Sequence, residues 1–321
     1  MSNKDRGTVT RDGLETAMVV VGSGRAGTDA VDRLEVETVG SGEPGLETAV
    51  ARLPGPTAAD SDEFEAIHRT VRQTADAVII ATDLGEGDVS PPILADPPPV
   101  NQITVLVTPL RSSHPTKDAL EDTLDAGVDT VVLVPTVLGV PAIESLRRTL
   151  STLITLVDEP GFVNVDLADA KTVFDRGDIA VMGTGTAANG ATDEAERAVF
   201  NALESIPASI PIDSASNALL DVRGGEGMTM VDTNGAVEAV RTRIGDESHI
   251  IWGAGIDAET DRLTVRLLLS GVEWTGPVAG DVGPLGSCPR CGEDLVSYSF
   301  GHRRTVSCDS CGYADVSMQM E

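Results

Sequence analysis

The sequence predicts an α/β protein: a domain with a doubly wound parallel sheet, a long central helix, a smaller α+β C-terminal domain and a terminal zinc module. Three observations support this prediction. Short apolar runs alternate with helix-period segments through the first half of the chain. After about residue 165 four apolar runs are interleaved with three helical segments. All four cysteines follow residue 287, in two CxxC pairs.

The first half is predicted to alternate strands and helices. A strand over 16–21 ends at Gly22 and precedes a helix over 26–34. The composition of residues 38–60, rich in Gly, Pro, Ser and Thr, predicts a loop. The remaining predicted elements are a helix from 60 or 61 to about 74, strands over 77–81, 103–107 and 130–134, a loop over 83–99, a helix over 117–126 and the central helix over 142–157.

The second half is predicted to form a second compact unit. Its helices are expected over 167–175, 192–204 and 236–244, and its strands over 179–183, 218–223, 250–256 and 263–269. We therefore divide the chain into a disordered tail over 1–15, an N-terminal domain over 16–157, a C-terminal domain over 158–272, a Gly/Pro linker over 273–286 and a zinc module over 287–321.

The composition is strongly acidic, with a net charge of −28, a pI of about 4.3 and only three lysines. Such a surface is typical of proteins that work in molar salt, where repulsion between carboxylates is screened. It argues against wide contact with nucleic acid or anionic lipid, because phosphate binding needs Lys and Arg. The sequence has no run of eighteen apolar residues and no apolar segment near its N-terminus. We therefore expect no membrane span and a cytosolic protein.

The cysteines follow the spacing C-x2-C-x16-C-x2-C, and each pair is followed by glycine. A CxxC turn places two thiolates on one side of a tight loop, so Cys288, Cys291, Cys308 and Cys311 predict a closed structural Zn²⁺ site. A redox dithiol and disulfides are the alternatives. A reducing cytosol and the pairing of two such turns favour zinc.

The zinc module is expected to present a surface rather than to catalyse, because four thiolates leave no open coordination position. Residues 295–300 and 305–307 predict a hairpin between the two cysteine pairs. The local positive charge comes from Arg290, His302, Arg303 and Arg304. This charge is compatible with contact to a partner protein or to nucleic acid, and of the two a partner protein is favoured.

Four runs in the second half carry a family resemblance: GFVNVDLADAKTVF (161–174), IAVMGTGTA (179–187), LLDVRGGEGMTMVDTNGAVEAVRTRI (219–244) and HIIWGAGIDAETDRLTVRLLLSG (249–271). Through their order and spacing, the chain resembles the FtsZ branch of the FtsZ/tubulin family. The resemblance implies an N-terminal GTPase-type sheet, a central helix and a C-terminal activation domain. It also implies an FtsZ-family subunit, or another protein, as partner.

The first half resembles that family less closely. The run VVVGSGRAGTDAV (19–31) is similar to the family's first phosphate loop, with Gly22, Gly24 and Gly27 at glycine positions and Asp29 where the family usually has Asn. By itself this pattern fits either phosphate binding or a closely packed strand–helix turn.

The family's signature loop, GGGTGTG, has no match here. Its place is taken by TDLGEGDVSPP (82–92). Pro91 and Pro92 have no N–H group, and the carboxylates of Asp83, Glu86 and Asp88 would repel phosphate unless a magnesium ion offset them. The stretch is therefore a poor phosphate cradle.

Two further nucleotide contacts of the family are missing. Residues 38–60 show no counterpart of a further loop and strand that bind nucleotide. The start of the central helix reads GVPAIE (139–144), where the family places an aromatic residue and an Asn against guanine. We therefore expect ordinary GTP binding to be lost.

The resemblance assigns a second functional loop to Asn164, Asp166 and Asp169. In the family this synergy loop enters the nucleotide pocket of the next subunit and helps to activate the attacking water. A plainer interpretation is that Asp166 caps the helix at 167 and Asp169 favours its dipole. Both interpretations stay open on the sequence.

Three functions remain in competition. The first is a divergent FtsZ-like cytoskeletal or cell-division protein, impaired in GTP binding, that acts as partner or regulator of FtsZ-type filaments. The second is an active, self-polymerising GTPase with an atypical pocket. The third is a non-enzymatic scaffold whose zinc ribbon recruits protein or nucleic acid. A Rossmann-type oxidoreductase has only the turn over 22–27 in its favour.

Overall fold

The structure is a computed structural model, and it describes thirteen stretches of the chain. These are residues 17–34, 47–52, 75–85, 102–111, 115–136, 140–158, 161–174, 177–188, 193–274, 288–292, 295–300, 303–308 and 310–315. The predicted tail, the predicted helix ending near 74, most of the predicted linker and residues 86–92 of the signature-loop position lie outside the described residues.

The first half contains five strands and three helices among the described residues. In chain order they are β1 (Ala17–Gly22), α1 (Gly24–Asp32), β2 (Glu47–Arg52), β3 (Ala77–Ala81), β4 (Ile103–Leu110), α2 (Lys117–Asp125), β5 (Thr130–Pro135) and α3 (Ala142–Asp158). The helix α3 is the predicted central helix.

The second half adds three helices and four strands, followed by the ribbon. The order is α4 (Leu167–Phe174), β6 (Ile179–Ala188), α5 (Glu194–Glu204), a 3-10 turn (Ile212–Ser214), β7 (Asn217–Gly224), α6 (Met230–Ile244), β8 (His249–Ile256) and β9 (Arg262–Ser270). The ribbon strands are β10 (Val296–Phe300), β11 (Arg303–Ser307) and β12 (Ala314–Asp315).

One sheet of nine strands runs through both halves, in the order β2-β1-β3-β4-β5-β6-β9-β7-β8. All neighbouring pairs are parallel except the two that involve β9. Strand β6 joins the halves, because it pairs parallel with β5 (Val131↔Ile179) and antiparallel with β9. The predicted α/β fold class is therefore confirmed, and the two predicted domains share this sheet.

Side chains of the strands alternate between two apolar clusters, one on each face of the sheet. In β3, Val78 and Ile80 belong to one cluster and Ile79 to the other. Leu146 and Leu150 of α3 cover the second face and are fully buried. Each such leucine contributes about 2 kcal/mol through the apolar surface it removes from water. Covered on both faces, the sheet is doubly wound.

Strand twist turns the two ends of the sheet away from each other. Neighbouring strands rotate by about 20–25° on average. There are six steps from β3 to β8. At this average, the directions of β3 and β8 differ by about 120–150°.

Strand β2 corrects the prediction of a loop over 38–60. It pairs parallel with β1 from Ala17↔Glu47 to Gly22↔Arg52 and forms the edge of the sheet. An edge strand forms hydrogen bonds on one side only and needs no continuous apolar run. The short segment ETAVAR gave a weak signal among many Gly and Pro residues.

Two element boundaries also differ for physical reasons. Helix α6 begins at Met230 rather than 236, because Thr229 and Asp232 form a reciprocal capping box. Strand β6 continues five residues beyond Gly183, to Ala188. A Cβ atom at Gly185 would lie 2.1 Å from the carbonyl oxygen of Ala198 in α5. This glycine therefore allows α5 to pack closely against the strand and does not end it.

Candidate functional site

The first glycine turn is a tightly packed strand–helix junction. A Cβ atom at Gly27 would lie 1.9 Å from the carbonyl oxygen of Ala81, and one at Gly22 would lie 2.7 Å from that of Gly27. The Ser23 N–H donates to the Ala81 carbonyl oxygen at 2.8 Å. Close packing therefore suffices to explain Gly22 and Gly27.

The other two predicted residues of this turn, Gly24 and Asp29, differ in backbone conformation and burial. Gly24 has a φ of 67°, which a residue with a side chain rarely adopts. Asp29 is half-buried on α1. The structure thus brings Gly22, Gly24 and Gly27 together at the start of α1, with Asp29 one turn further along the helix.

At the beginning of the signature-loop position, backbone N–H groups form hydrogen bonds with nearby side chains. Asp83 is 1% exposed, and its Oδ1 accepts a hydrogen bond of 2.9 Å from the Gly85 N–H. The Leu84 N–H donates to Thr108 Oγ1 at 3.2 Å. Amides that a phosphate loop would direct at a ligand are here bound to side chains of the protein.

A buried ion pair holds Asp83 in place. Its Oδ2 accepts from Nη2 of Arg111, the residue that follows β4. A buried carboxylate is tolerated only where donors compensate the loss of water, and Arg111 and the Gly85 amide supply them.

Arg111 also reaches the cysteine module. Its Nη1 donates to Ser310 Oγ at 3.2 Å, while its Nε is buried with no hydrogen-bond partner among the described residues. Ser310 lies between Cys308 and Cys311. The second cysteine pair therefore contacts the carboxyl edge of β3 and β4.

The start of the central helix has charges paired along its surface. Glu144 forms ion pairs of 2.8 Å with both Arg147 and Arg148. The hydrogen bond from Arg147, helped by Arg148 and opposed by burial, lowers the pKa of Glu144 to about 2. Ile143 packs against the core. Gly139 lies outside the described residues.

The predicted synergy loop is anchored to β8. Val163 and Ala254 exchange two backbone hydrogen bonds of 3.1 and 2.9 Å. Asn164 Oδ1 accepts from the Gly161 N–H at 2.6 Å, which closes the loop on itself. Asn164 remains exposed. The backbone of the loop is thus fixed while this side chain faces solvent.

The capping interpretation of the two aspartates is confirmed. The Asp169 N–H donates to Asp166 Oδ1 at 2.8 Å, and the Asp166 N–H donates to Asp169 Oδ2 at 3.1 Å. Capping does not hide the charge, because Asp166 is exposed and Asp169 half-buried. The structure therefore brings the three predicted residues into one ordered loop, and a role toward another subunit stays a prediction.

Exposed apolar side chains lie at this end of the molecule, and sequence reasoning missed them. Phe162 precedes the bridge to β8 and is 49% exposed, and Ile256 at the end of β8 is 45% exposed. Met230 and Val231 begin α6, which follows the end of β7, and are also exposed. Periodicity gives no signal for them, because exposure depends on which elements cover each position.

A buried charge network supports the strands near this loop and was also missed. Asp221 in β7 accepts from Arg223 Nε at 2.9 Å and from Arg266 Nη1 of β9 at 3.4 Å. Arg223 lies against Gly255 of β8, where a Cβ atom would be 2.3 Å from its Nη1. The only sequence signal was a pair of opposite charges two residues apart in an apolar strand.

The four cysteines form a compact tetrad. The Sγ atoms of Cys288 and Cys311 are 3.6 Å apart, those of Cys291 and Cys308 are 3.4 Å apart, and all four lie within 4.8 Å of one another. Tetrahedral zinc with thiolate ligands needs separations of about 3.8 Å, whereas a disulfide needs about 2.05 Å. The tetrad fits a metal ion and contains no disulfide.

Each cysteine pair forms the predicted knuckle. The Gly292 N–H donates to the Cys288 carbonyl at 2.8 Å, and the Gly312 N–H donates to that of Cys308 at 2.9 Å. Both glycines have a left-handed φ, 82° and 72°. The Arg290 N–H points at Cys288 Sγ, 3.4 Å away. Local sequence therefore determines both halves of the site.

The thiols differ in acidity. Burial raises the pKa of Cys308 to about 12. At Cys288 burial acts in the same direction, but the N–H groups of Arg290 and Cys291 and the neighbouring thiols outweigh it and lower the pKa to about 7. Metal binding must displace the remaining protons, so it is favoured as pH rises.

No helix among the described residues is long and apolar enough to cross a membrane.

With this geometry in view, comparison with known proteins gives a consistent result. The C-terminal domain of the FtsZ family matches residues 178–273. The cell division protein FtsZ of Haloferax mediterranei is 28% identical, with 85% of this chain and 84% of that protein aligned. FtsZ 1 of Methanocaldococcus jannaschii is 32% identical over 61% of this chain and 59% of its own length. An empty FtsZ dimer structure from M. jannaschii has a TM-score of 0.63, with 26% identity, and covers 80% of this chain and 88% of that one.

The sheet order, the central helix and these matches define a protein with the tubulin/FtsZ fold. In sequence and fold the chain is therefore similar to proteins of the FtsZ/tubulin family, and the curated relatives it matches are cell division proteins.

Proposed function

We propose that this chain is a partner or regulator of FtsZ-type filaments in the cytosol that is itself impaired in GTP binding. One contrast carries the proposal. The loop over 161–169 is held by its own hydrogen bonds and exposes polar side chains. At the start of the signature-loop position, by contrast, backbone N–H groups are already bound to the side chains of Asp83 and Thr108. One end of the subunit suits assembly, and the other is unsuited to a triphosphate.

The assembly end has the properties of a protein contact. Asn164 and Asp166 are exposed polar groups on a fixed backbone, and Phe162 and Ile256 provide exposed apolar surface at the same end. Exposed apolar residues grouped on an acidic protein are typical of interaction sites. The occupant we propose is the nucleotide-binding end of an FtsZ-family subunit, as the family resemblance implies.

Co-sedimentation with the FtsZ of the same organism tests this role. We expect the chain to pellet with GTP-assembled FtsZ and to change its polymer mass or GTPase rate. Phe162→Glu places a charge in the contact and should abolish co-sedimentation. Phe200→Glu alters a phenylalanine on α5 that is 41% exposed, and it should not abolish co-sedimentation. Absence of the wild-type chain from the FtsZ pellet would refute the proposal.

A second candidate, an active GTPase with an atypical pocket, is favoured by one feature. The glycine turn sets the N-terminus of α1 at the carboxyl end of β1, a geometry that attracts phosphate. Titration with GTP separates the two functions. Micromolar affinity, or GTP hydrolysis that rises with the concentration of this chain alone, would favour the GTPase.

We also propose that the cysteine tetrad binds a structural Zn²⁺ ion. Cys288, Cys291, Cys308 and Cys311 would hold it, and four thiolates would leave no position for a substrate. The fit rests on the Sγ separations and on the two glycine-closed knuckles. Metal analysis of the purified chain should give about one zinc per chain.

A further inference from the structure

The zinc ribbon meets the body of the protein at the position of the family's signature loop. Arg111 carries the contact, with Nη2 on buried Asp83 and Nη1 on Ser310 of the second knuckle. We propose that the ribbon is an intramolecular cap on the carboxyl edge of β3 and β4, where it takes the place of a nucleotide and of the neighbouring subunit that would close over it.

The arginine is held in the orientation that this role requires. A guanidinium group directs its donors in one plane, so fixing Nη2 on Asp83 also fixes the direction of Nη1. Asp83 is 1% exposed and the Arg111 side chain 19% exposed, so the pair is shielded from water. The Nε atom of Arg111 is also buried, with no hydrogen-bond partner in the described part of the chain, so the group is enclosed rather than lying on an open surface.

The contact links the metal site to the loop. Ser310 lies inside the second CxxC turn, whose shape depends on Cys308 and Cys311 being held together. On the other side, Asp83 fixes the Gly85 amide. Metal binding in the ribbon would therefore stabilise the closed edge of the sheet, and loss of the metal would release it.

This inference goes beyond the proposed filament role, because it assigns a place and a partner to the ribbon. The partner is a segment of the same chain rather than nucleic acid or a separate protein. A subunit capped in this way would offer only its loop over 161–169 for assembly. The ribbon would then be the reason that the chain has one functional end.

Hydrogen exchange on the full-length protein tests the cap. Zinc-loaded protein should protect the amides of 82–85 and 108–111, and removal of zinc by a chelator at constant salt should speed their exchange by about tenfold or more. The amides of 161–169 serve as the internal control and should not change. Unchanged exchange at 82–85 after zinc removal would overturn the proposal.

A variant pair separates docking from metal binding. Ser310→Arg sets a second guanidinium beside Arg111 and should release the ribbon with one zinc still bound, giving the same faster exchange at 82–85. Ser310→Thr keeps the hydroxyl group and should behave as wild type. Wild-type exchange in Ser310→Arg would overturn the cap. These measurements need neither filaments nor nucleotide, so they can fail while the filament role stands, and the reverse.

Discussion

The carboxylate of Asp83 and the guanidinium of Arg111 form a buried ion pair between the ends of two neighbouring parallel strands. The family resemblance places a phosphate-binding loop at this edge. Here the protein supplies its own anion and its own cation. Pairing with Arg111 compensates the burial of the Asp83 carboxylate at this edge.

Replacing Asp83 with Asn should lower the free energy of unfolding by about 3 kcal/mol, because Arg111 would stay buried without a counter-charge. Denaturant unfolding in high salt measures the change. Adding Arg111→Met to Asp83→Asn should recover part of the loss, since it removes the uncompensated charge. A loss below about 1 kcal/mol in the single variant would contradict a buried, coupled pair.

Glu144→Gln should destabilise the protein in a pH-dependent way. The pKa of Glu144 is lowered to about 2 from its ordinary 4.5, so its ion pairs stabilise the fold fully above pH 4.5 and progressively less toward pH 2. At neutral pH we expect a loss of about 1 kcal/mol, since the side chain is 26% exposed.

The matched control for Glu144 is Glu121→Gln. Glu121 pairs with Lys117 on an exposed helix surface, with 59% of its side chain exposed, so its loss should cost less than about 0.5 kcal/mol. Thermal unfolding of both variants between pH 7 and the acid transition measures the difference. An equal effect of the two substitutions would contradict the special role of Glu144.

Gly255→Ala should destabilise the C-terminal half. The added Cβ would lie 2.3 Å from Arg223 Nη1 and would force this buried arginine away from Asp221, at a cost of about 2–3 kcal/mol. Gly227→Ala, with no atom within 4 Å of its Cβ, is the control and should be nearly neutral. Similar unfolding midpoints for the two variants would show that Arg223 is free to move.

Cys308→Ser should abolish stoichiometric zinc binding and unfold the ribbon, because three thiolates cannot complete the closed site. Metal analysis and near-UV circular dichroism measure the loss, and the apolar body should keep its own unfolding transition. Acidification of the wild type should release the metal as the thiolates regain protons. Full zinc content in Cys308→Ser would contradict the assigned ligand set.

Low salt should destabilise the whole protein. The net charge of −28 repels itself, and this repulsion is screened only when the Debye length is short. We expect the melting temperature to rise by more than about 10 °C between 0.2 M and 2 M KCl. Equal melting temperatures at the two salt concentrations would contradict adaptation to molar salt.

Local signals gave most of the fold. The strand over 77–81 was predicted to the residue, and α2, α3 and β5 within one residue at their ends, because apolar periodicity and turn residues lie within the elements themselves. The edge strand β2 was missed, since pairing on one side leaves little apolar signal. The first six residues of α6 were missed because Asn234 and Gly235 weaken its helical pattern.

The sequence by itself determined the α/β class, the cysteine tetrad and the capped loop at 166–169, because these depend on contacts between residues a few positions apart. Only the tertiary structure joined Asp83 to Arg111, 28 positions away, and Arg111 to Ser310, 199 positions away. Spacing encodes local geometry. The meeting of distant polar groups depends on how the sheet aligns its strand ends, and no short stretch of sequence records that alignment.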